Sequence, residues 1–191
     1  MTDEPEDHVY ENDLGTFVVQ DRNLGATRGD RGEGEEWKES TGLEYLWGRK
    51  DPFAGGKLEE TSQYYYITDG ISNPTMRPSN WERTASMWRP DMKTIYDPCP
   101  VGYRVASNDI WSHFSLNNTS GSFDHGWYFT YNGTDVAWYP TRGRVHTSGV
   151  SYWGDNYMTS STSGGGLYYS SGSVHLQGNA DGPLRCKRPG P

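Results

Sequence analysis

Val101-Gly102-Tyr103-Arg104-Val105-Ala106 alternates like a strand, and the residues after it change period. Ser107 or Asn108 can cap a helix through its side-chain oxygen, with Ile110, Trp111 and Phe114 along a buried stripe and an end near Leu116. A strand that hands over to a short helix in mid-chain, among 24 Gly and 11 Pro in 191 residues, leaves no room for long helices. The chain therefore reads as one β- and loop-rich domain.

Upstream, the segment 51–100 holds Pro52, Pro74, Pro78, Pro90, Pro98 and Pro100, too many for a sheet interior. It reads as ordered loop, docked by the rings of Phe53, Tyr64, Tyr65, Tyr66, Trp81, Trp88 and Tyr96. Further upstream, Thr16 to Leu24 has the β-branched and aromatic content of an opening strand. Arg28 to Glu36 is a charged Gly-rich loop, and Leu43-Glu44-Tyr45-Leu46-Trp47 predicts a short helix ending near Gly48. Downstream, Trp127 to Tyr131, Val136 to Tyr139 and Arg142 to Val145 are short strand candidates, and Asn132-Gly133 signals a hairpin turn. Gly166 to Ser170 and Pro183 to Lys187 add two more strands, and no repeat is evident.

Hydrophobic residues make up 32% of the chain, with no run near the roughly eighteen that a membrane helix needs. Membrane insertion is not expected. Eight Trp, fourteen Tyr and five Phe supply the apolar area that aliphatic residues do not, which argues against disorder. The net charge of −8 is concentrated in Asp3, Glu4, Glu6, Asp7, Glu11 and Asp13. Residues 1–14 read as an acidic tail or linker excluded from the fold, and 15–191 as the domain. The remaining charges nearly balance, so no nucleic-acid partner is expected from net charge. Met1-Thr2-Asp3-Glu4 does not read as a signal peptide; a cytosolic protein or an excised mature domain fits that start. Cys99 and Cys186 form no C-x-x-C pair, so a zinc site is not expected. A disulfide is their simplest use, with two buried free thiols as the alternative.

No catalytic motif is present. The five His residues never fall at H-x-x-x-H spacing, and neither G-x-x-x-x-G-K-[ST] nor G-x-G-x-x-G occurs. Gly164-Gly165-Gly166 follows no strand-to-helix phosphate turn, and no nucleophile elbow is found. A carboxylate pair such as Asp124 with Asp135 or Asp155 needs a separation that sequence does not give. No cofactor and no metal are predicted, and the chain reads as a non-enzyme. The stretch from His146 to Asp181 instead has the composition of a contact surface, in which Tyr and Trp give area at low rotamer cost and Ser, Gly and Asn adapt their hydrogen bonds. Tyr152, Trp153, Asp155, Asn156 and Tyr157 carry that mixture. From Ser173 to Asp181, Val174, Leu176, Gly178 and Ala180 alternate with Ser173, His175, Gln177, Asn179 and Asp181, so one set faces inward and the other faces solvent or ligand. Ordinary loop polarity is the competing reading of the same residues.

Four ordered blocks carry a resemblance. They are Asp21-Arg22-Asn23-Leu24-Gly25-Ala26-Thr27, Tyr45 to Phe53 (YLWGRKDPF), Lys93 to Val105 (KTIYDPCPVGYRV) and Leu184-Arg185-Cys186. Together they resemble the Fibrobacter succinogenes major paralogous domain, common on surface and pilus-tip proteins of Bacteroidales. That family is similar to C-type-lectin-like folds, including variable proteins diversified by retroelements. The resemblance implies an α+β C-type-lectin-like domain with short antiparallel strands, one or two helices and long ordered loops, in which Cys99 and Cys186 form a structural bridge. It also implies a non-enzymatic role in ligand binding or adhesion, at a cell surface or virion tip. Partners would be a host or bacterial surface protein or a glycan, or a pilus or phage-tail subunit.

In such variable proteins the changeable positions lie near the C-terminus, which implies a contact patch at Tyr152, Trp153, Asp155, Asn156, Tyr157, Tyr168, Ser173, His175, Gln177, Asn179 and Asp181. A structural pilus-tip or phage-tail module making subunit contacts is the alternative. A formylglycine-generating-type oxidase is the third reading, since those enzymes share a related fold but oxidise through a local cysteine pair, whereas Cys99 and Cys186 look like a structural bridge. The chain departs from the family pattern at Ala106, where Pro is usual. The usual Tyr-Trp-Ser-Ser block is represented by Tyr157-Met158-Thr159-Ser160-Ser161 or, in another register, by the residues around Trp153. Trp153-Gly154-Asp155-Asn156 lacks the partner triplet of calcium-dependent lectins, so calcium-dependent sugar binding is not expected.

Overall fold

A computed structural model describes residues 4–52, 58–60, 65–67, 87–111, 114, 119–120, 125–131, 134–140, 144–146, 149–151, 155–158, 160, 165–170, 173–178 and 181–189. The strands among them are, in the first half, β1 (Asp7–Asn12), β2 (Gly15–Gln20), β3 (Tyr45–Leu46), β4 (Leu58–Glu60), β5 (Tyr65–Ile67) and β6 (Arg104–Val105). In the second half they are β7 (Thr119–Ser120), β8 (Gly126–Tyr131), β9 (Thr134–Pro140), β10 (Arg144–His146) and β11 (Gly149–Ser151). β12 (Asp155–Met158), β13 (Gly165–Ser170), β14 (Ser173–Gly178), β15 (Asp181–Gly182) and β16 (Cys186–Lys187) complete the order. Two short 3₁₀ helices, Glu36–Ser40 and Asn108–Trp111, accompany them.

Every pairing is antiparallel. The architecture is thus mixed, with antiparallel sheets and few helices, and is compatible with an α+β class. A four-stranded sheet in the order β1-β2-β16-β6 places β2, from near the start of the chain, beside β16, from near its end, and β7-β8-β9 and β12-β13-β14 are three-stranded meanders.

Several elements differ from the sequence reading, each for a local reason. Residues 7–12, read as part of a solvated tail, form β1 and pair with β2 from Asp7↔Gln20 to Asn12↔Gly15. An edge strand needs only backbone pairing on one side, and charged residues there blunt the free edge, so acidity does not exclude it. The helix read at Leu43–Trp47 is instead the bridge strand β3 against β15. Tyr45, Leu46 and Trp47 are all buried, so the segment has no solvent face for a helical period to mark. The long strand read from Val101 shrinks to Arg104–Val105 because Pro100–Tyr103 is a turn. Tyr103 N–H donates to Pro100 O at 3.0 Å, Gly102 takes φ +86°, and Val101 is 95% exposed. The helix read to Leu116 is a 3₁₀ turn, with i−3 bonds from Ile110 N to Ser107 O at 3.3 Å and from Phe114 N to Trp111 O at 3.0 Å. Residues 115 and 116 lie outside the described residues. The hairpin read at Asn132-Gly133 agrees with the register, in which Tyr131 pairs with Thr134 across a two-residue connection.

Among the described residues, two apolar clusters hold the body. Phe17, Val19, Ala106, Ile110, Trp111, Trp127, Phe129, Ala137 and Tyr139 form the first, with Phe114 stacked on Phe129 at 4.3 Å. Tyr45, Trp47, Trp88, Cys99, Val105, Leu184 and Cys186 form the second. The bridge of Cys99 with Cys186 lies inside it, with a Cα separation of 5.8 Å. Beside it the buried Asp97 carboxylate accepts from Cys99 N at 2.9 Å, Val105 N at 3.0 Å and Lys93 Nζ at 3.0 Å, tying the Pro-rich loop to β6.

Arg185 joins the clusters. It is 1% exposed, and its guanidinium donates to Asn23 Oδ1 at 2.7 Å, to Asp21 O at 2.5 Å, to Gln20 O at 3.3 Å and to Trp138 O. It also stacks 4.3 Å from the Tyr139 ring centroid. Buried charge without such partners costs several kcal/mol, roughly 3–5 when one partner is removed, so these acceptors fix where the last strand enters.

Candidate functional site

The C-terminal meander pairs strands that follow one another in sequence, and its register sorts the residues of the expected contact patch. Asn156 pairs with Tyr168, and Tyr168 with His175, so these three form one row across β12, β13 and β14. Two residues along each strand, Met158, Gly166 and Gln177 form the next row on that face, and Ser170 pairs with Ser173 on the same side. The opposite face carries the rows Asp155–Tyr169–Val174 and Tyr157–Leu167–Leu176. Residues in such rows have Cβ atoms about 5 Å apart, close enough for one ligand to meet all three.

Asn156, Tyr168, Ser173, His175 and Gln177 therefore share one face, while Asp155 and Tyr157 share the other with Leu167 and Leu176. Asp181 stands apart in β15, paired with Leu46 of the buried strand β3. Tyr152, Trp153 and Asn179 lie outside the described residues. The meander is fastened to the body just after β12, where the buried Ser160 donates its N–H to Ala106 O at 2.9 Å.

Hollows on the body differ in how far their charges are already used. One of about 370 Å³ is bordered by Asp21, Arg22, Arg28 and Asp30. Arg22 pairs with Asp21 at 2.8 Å, and Arg28 with Asp30 at 2.6 Å and Glu36 at 2.8 Å. The hydrogen bond to Asp30 holds the Arg28 guanidinium above its ordinary value. These ions satisfy one another and leave little for a ligand.

A second hollow, of about 340 Å³, lies where β16, β6 and β2 meet and contains Arg104, Lys187 and Arg188. Burial pushes the Lys187 ammonium below its ordinary pKa, while Asp109 pulls it back. Arg188 is held above its own value by a hydrogen bond with the Tyr103 hydroxyl and then by Asp7. Sequence reasoning missed this cluster because Arg104 is far from Lys187 in the chain and only strand pairing unites them.

Among the described residues no group of three His, Cys, Asp or Glu is arranged to hold a metal ion. His125 takes φ +61° and stacks flat on the buried Trp37, with centroids 4.3 Å apart, as a packing contact. Comparison with family models, with curated proteins and with solved structures finds no match to this chain.

Proposed function

We propose that this chain is a non-enzymatic extracellular ligand-binding domain, of adhesin or receptor-recognition type, on a C-type-lectin-like scaffold. Its contact surface is the face of β12-β13-β14 that carries Asn156, Tyr168, Ser173, His175 and Gln177, and its partner is a surface protein or a glycan. The observation that carries this reading is the register, which gathers an amide, a phenol and an imidazole into one row. Tyr168 is the anchor, since aromatic side chains dominate contact energetics, and Asn156 and His175 give direction. Asp155 and Tyr157 belong to the other face and drop out of the patch. The Cys99–Cys186 bridge fits an oxidising compartment. Retroelement diversification would act on the same face, and alleles of sibling genomes should then differ at Tyr168, Ser173, His175 and Gln177.

Screening the purified domain against glycans and surface proteins tests the reading. Tyr168→Ala with His175→Ala should abolish capture of any ligand found while leaving the unfolding midpoint in place. Undiminished affinity in that variant would remove the site from this face. A domain that polymerises and captures nothing would instead be a structural tip module.

A further inference from the structure

Strand pairing sets Arg104 directly opposite Lys187. Like charges at one register position repel, so such a pair calls for negative charge nearby. Lys187 has it: the residue is 6% exposed, and its ammonium donates to Ser107 Oγ at 2.5 Å and to both Asp109 carboxylate oxygens at 3.2 Å and lies 5.5 Å from the centre of the Phe17 ring. Arg104 does not. Its Nε is buried without a hydrogen-bond partner. Asp91, whose carboxyl also feels Arg104, is held by Arg89 at 2.5 Å. Arg188, the third cation of the hollow, is committed to Asp7 at 2.5 Å. Among the described residues, Arg104 is thus the cation without an ion-pair partner in a hollow of about 340 Å³, whose other walls include Leu14, Phe17, Val18 and the Asp109 that Lys187 already holds.

A guanidinium fork matches a carboxylate, and an apolar wall beside it rewards a hydrocarbon body that sulfate and phosphate lack. We propose that this hollow binds a small organic carboxylate, with Arg104 holding the carboxylate and Leu14, Phe17 and Val18 covering its hydrocarbon. The proposal rests on none of the residues of the β12-β13-β14 face, and it stands or falls independently of what that face binds.

The test uses the full chain, following the Arg104 Nε–Hε resonance by NMR during titration with benzoate, acetate or sulfate, with chloride holding the ionic strength constant. Benzoate should shift that resonance saturably at millimolar concentration, with acetate about tenfold weaker for want of the apolar body. Arg104→Gln should weaken benzoate binding about tenfold or more. Leu14→Glu, at a turn position that is 64% exposed, should weaken it similarly and covers the case in which Arg104→Gln fails to fold. No saturable shift with benzoate up to about 100 mM, equal affinity in a folded Arg104→Gln, or sulfate bound more tightly than benzoate would each overturn the proposal.

Discussion

The sheet β1-β2-β16-β6 and the meander β12-β13-β14 are both antiparallel, yet they are built in opposite ways. The first draws its strands from three remote parts of the chain and is held by side chains that have no substitute: Cys99 with Cys186, the Asp97 carboxylate and the buried Arg185 fork. The second joins strands that follow one another in sequence, and the hydrogen bonds that define it are between backbones. Side chains brought together from remote parts of the chain specify the body, whereas the meander is formed by strands that are neighbours in sequence. On the proposed reading of the meander as a contact surface, residues on its face should change at little cost to the body.

The largest effect should come from the crosslink. Cys99→Ser with Cys186→Ser opens a loop with a sequence separation of 87 and should lower unfolding free energy by about 4–5 kcal/mol on the chain-entropy account, read by denaturant titration. Arg185→Met, which leaves the carbonyls of Gln20, Asp21 and Trp138 without their donor, should cost about 3–5 kcal/mol. A loss near zero in either variant would mean that the body is not fixed by these groups.

A smaller effect should appear at alkaline pH. Burial raises the Tyr139 phenol above its ordinary value, so beyond about pH 10 the folded state keeps a proton that the unfolded chain has released. Stability must then fall as pH rises, by up to about 1.4 kcal/mol per pH unit for one such group. Lys187 acts with the opposite sign. Its folded pKa is depressed, so below its ordinary value the unfolded chain binds more protons, and stability rises with pH through the folded pKa. Tyr139→Phe should remove the alkaline fall, at the cost of about 1 kcal/mol for the lost acceptor of the Trp111 indole N–H. Persistence of that fall in Tyr139→Phe would assign it to another group.

What could be read from the sequence follows the same division. Local signals gave the β8–β9 hairpin, the β13 strand and the alternation of β14, because a two-residue turn and a period of two are properties of neighbouring residues. The bridge of Cys99 with Cys186 was legible because only two cysteines are present. Misreadings arose where tertiary burial overrode local pattern: Tyr45 to Trp47 is buried on every side, and Val101-Gly102 turns where alternation suggested a strand. The acidic residues of β1 carry no hydrophobic period, since that strand is an edge recruited by β2. At the expected contact patch the residue types were legible, but their division between two faces needed the register, and the pairing of Arg104 with Lys187 left no trace in the linear order.

The smallest stability effect, and the most direct test of the division, lies on the meander. Asn156, Tyr168, Ser173, His175 and Gln177 can be randomised together and the pool sorted first for folded protein and then for ligand capture. Single members should move the unfolding free energy by about 0.5 kcal/mol per site or less, as surface changes do, so most of the pool stays folded while its binding differs from member to member. A pool in which most members unfold would show that this face is part of the body's foundation and would contradict the account.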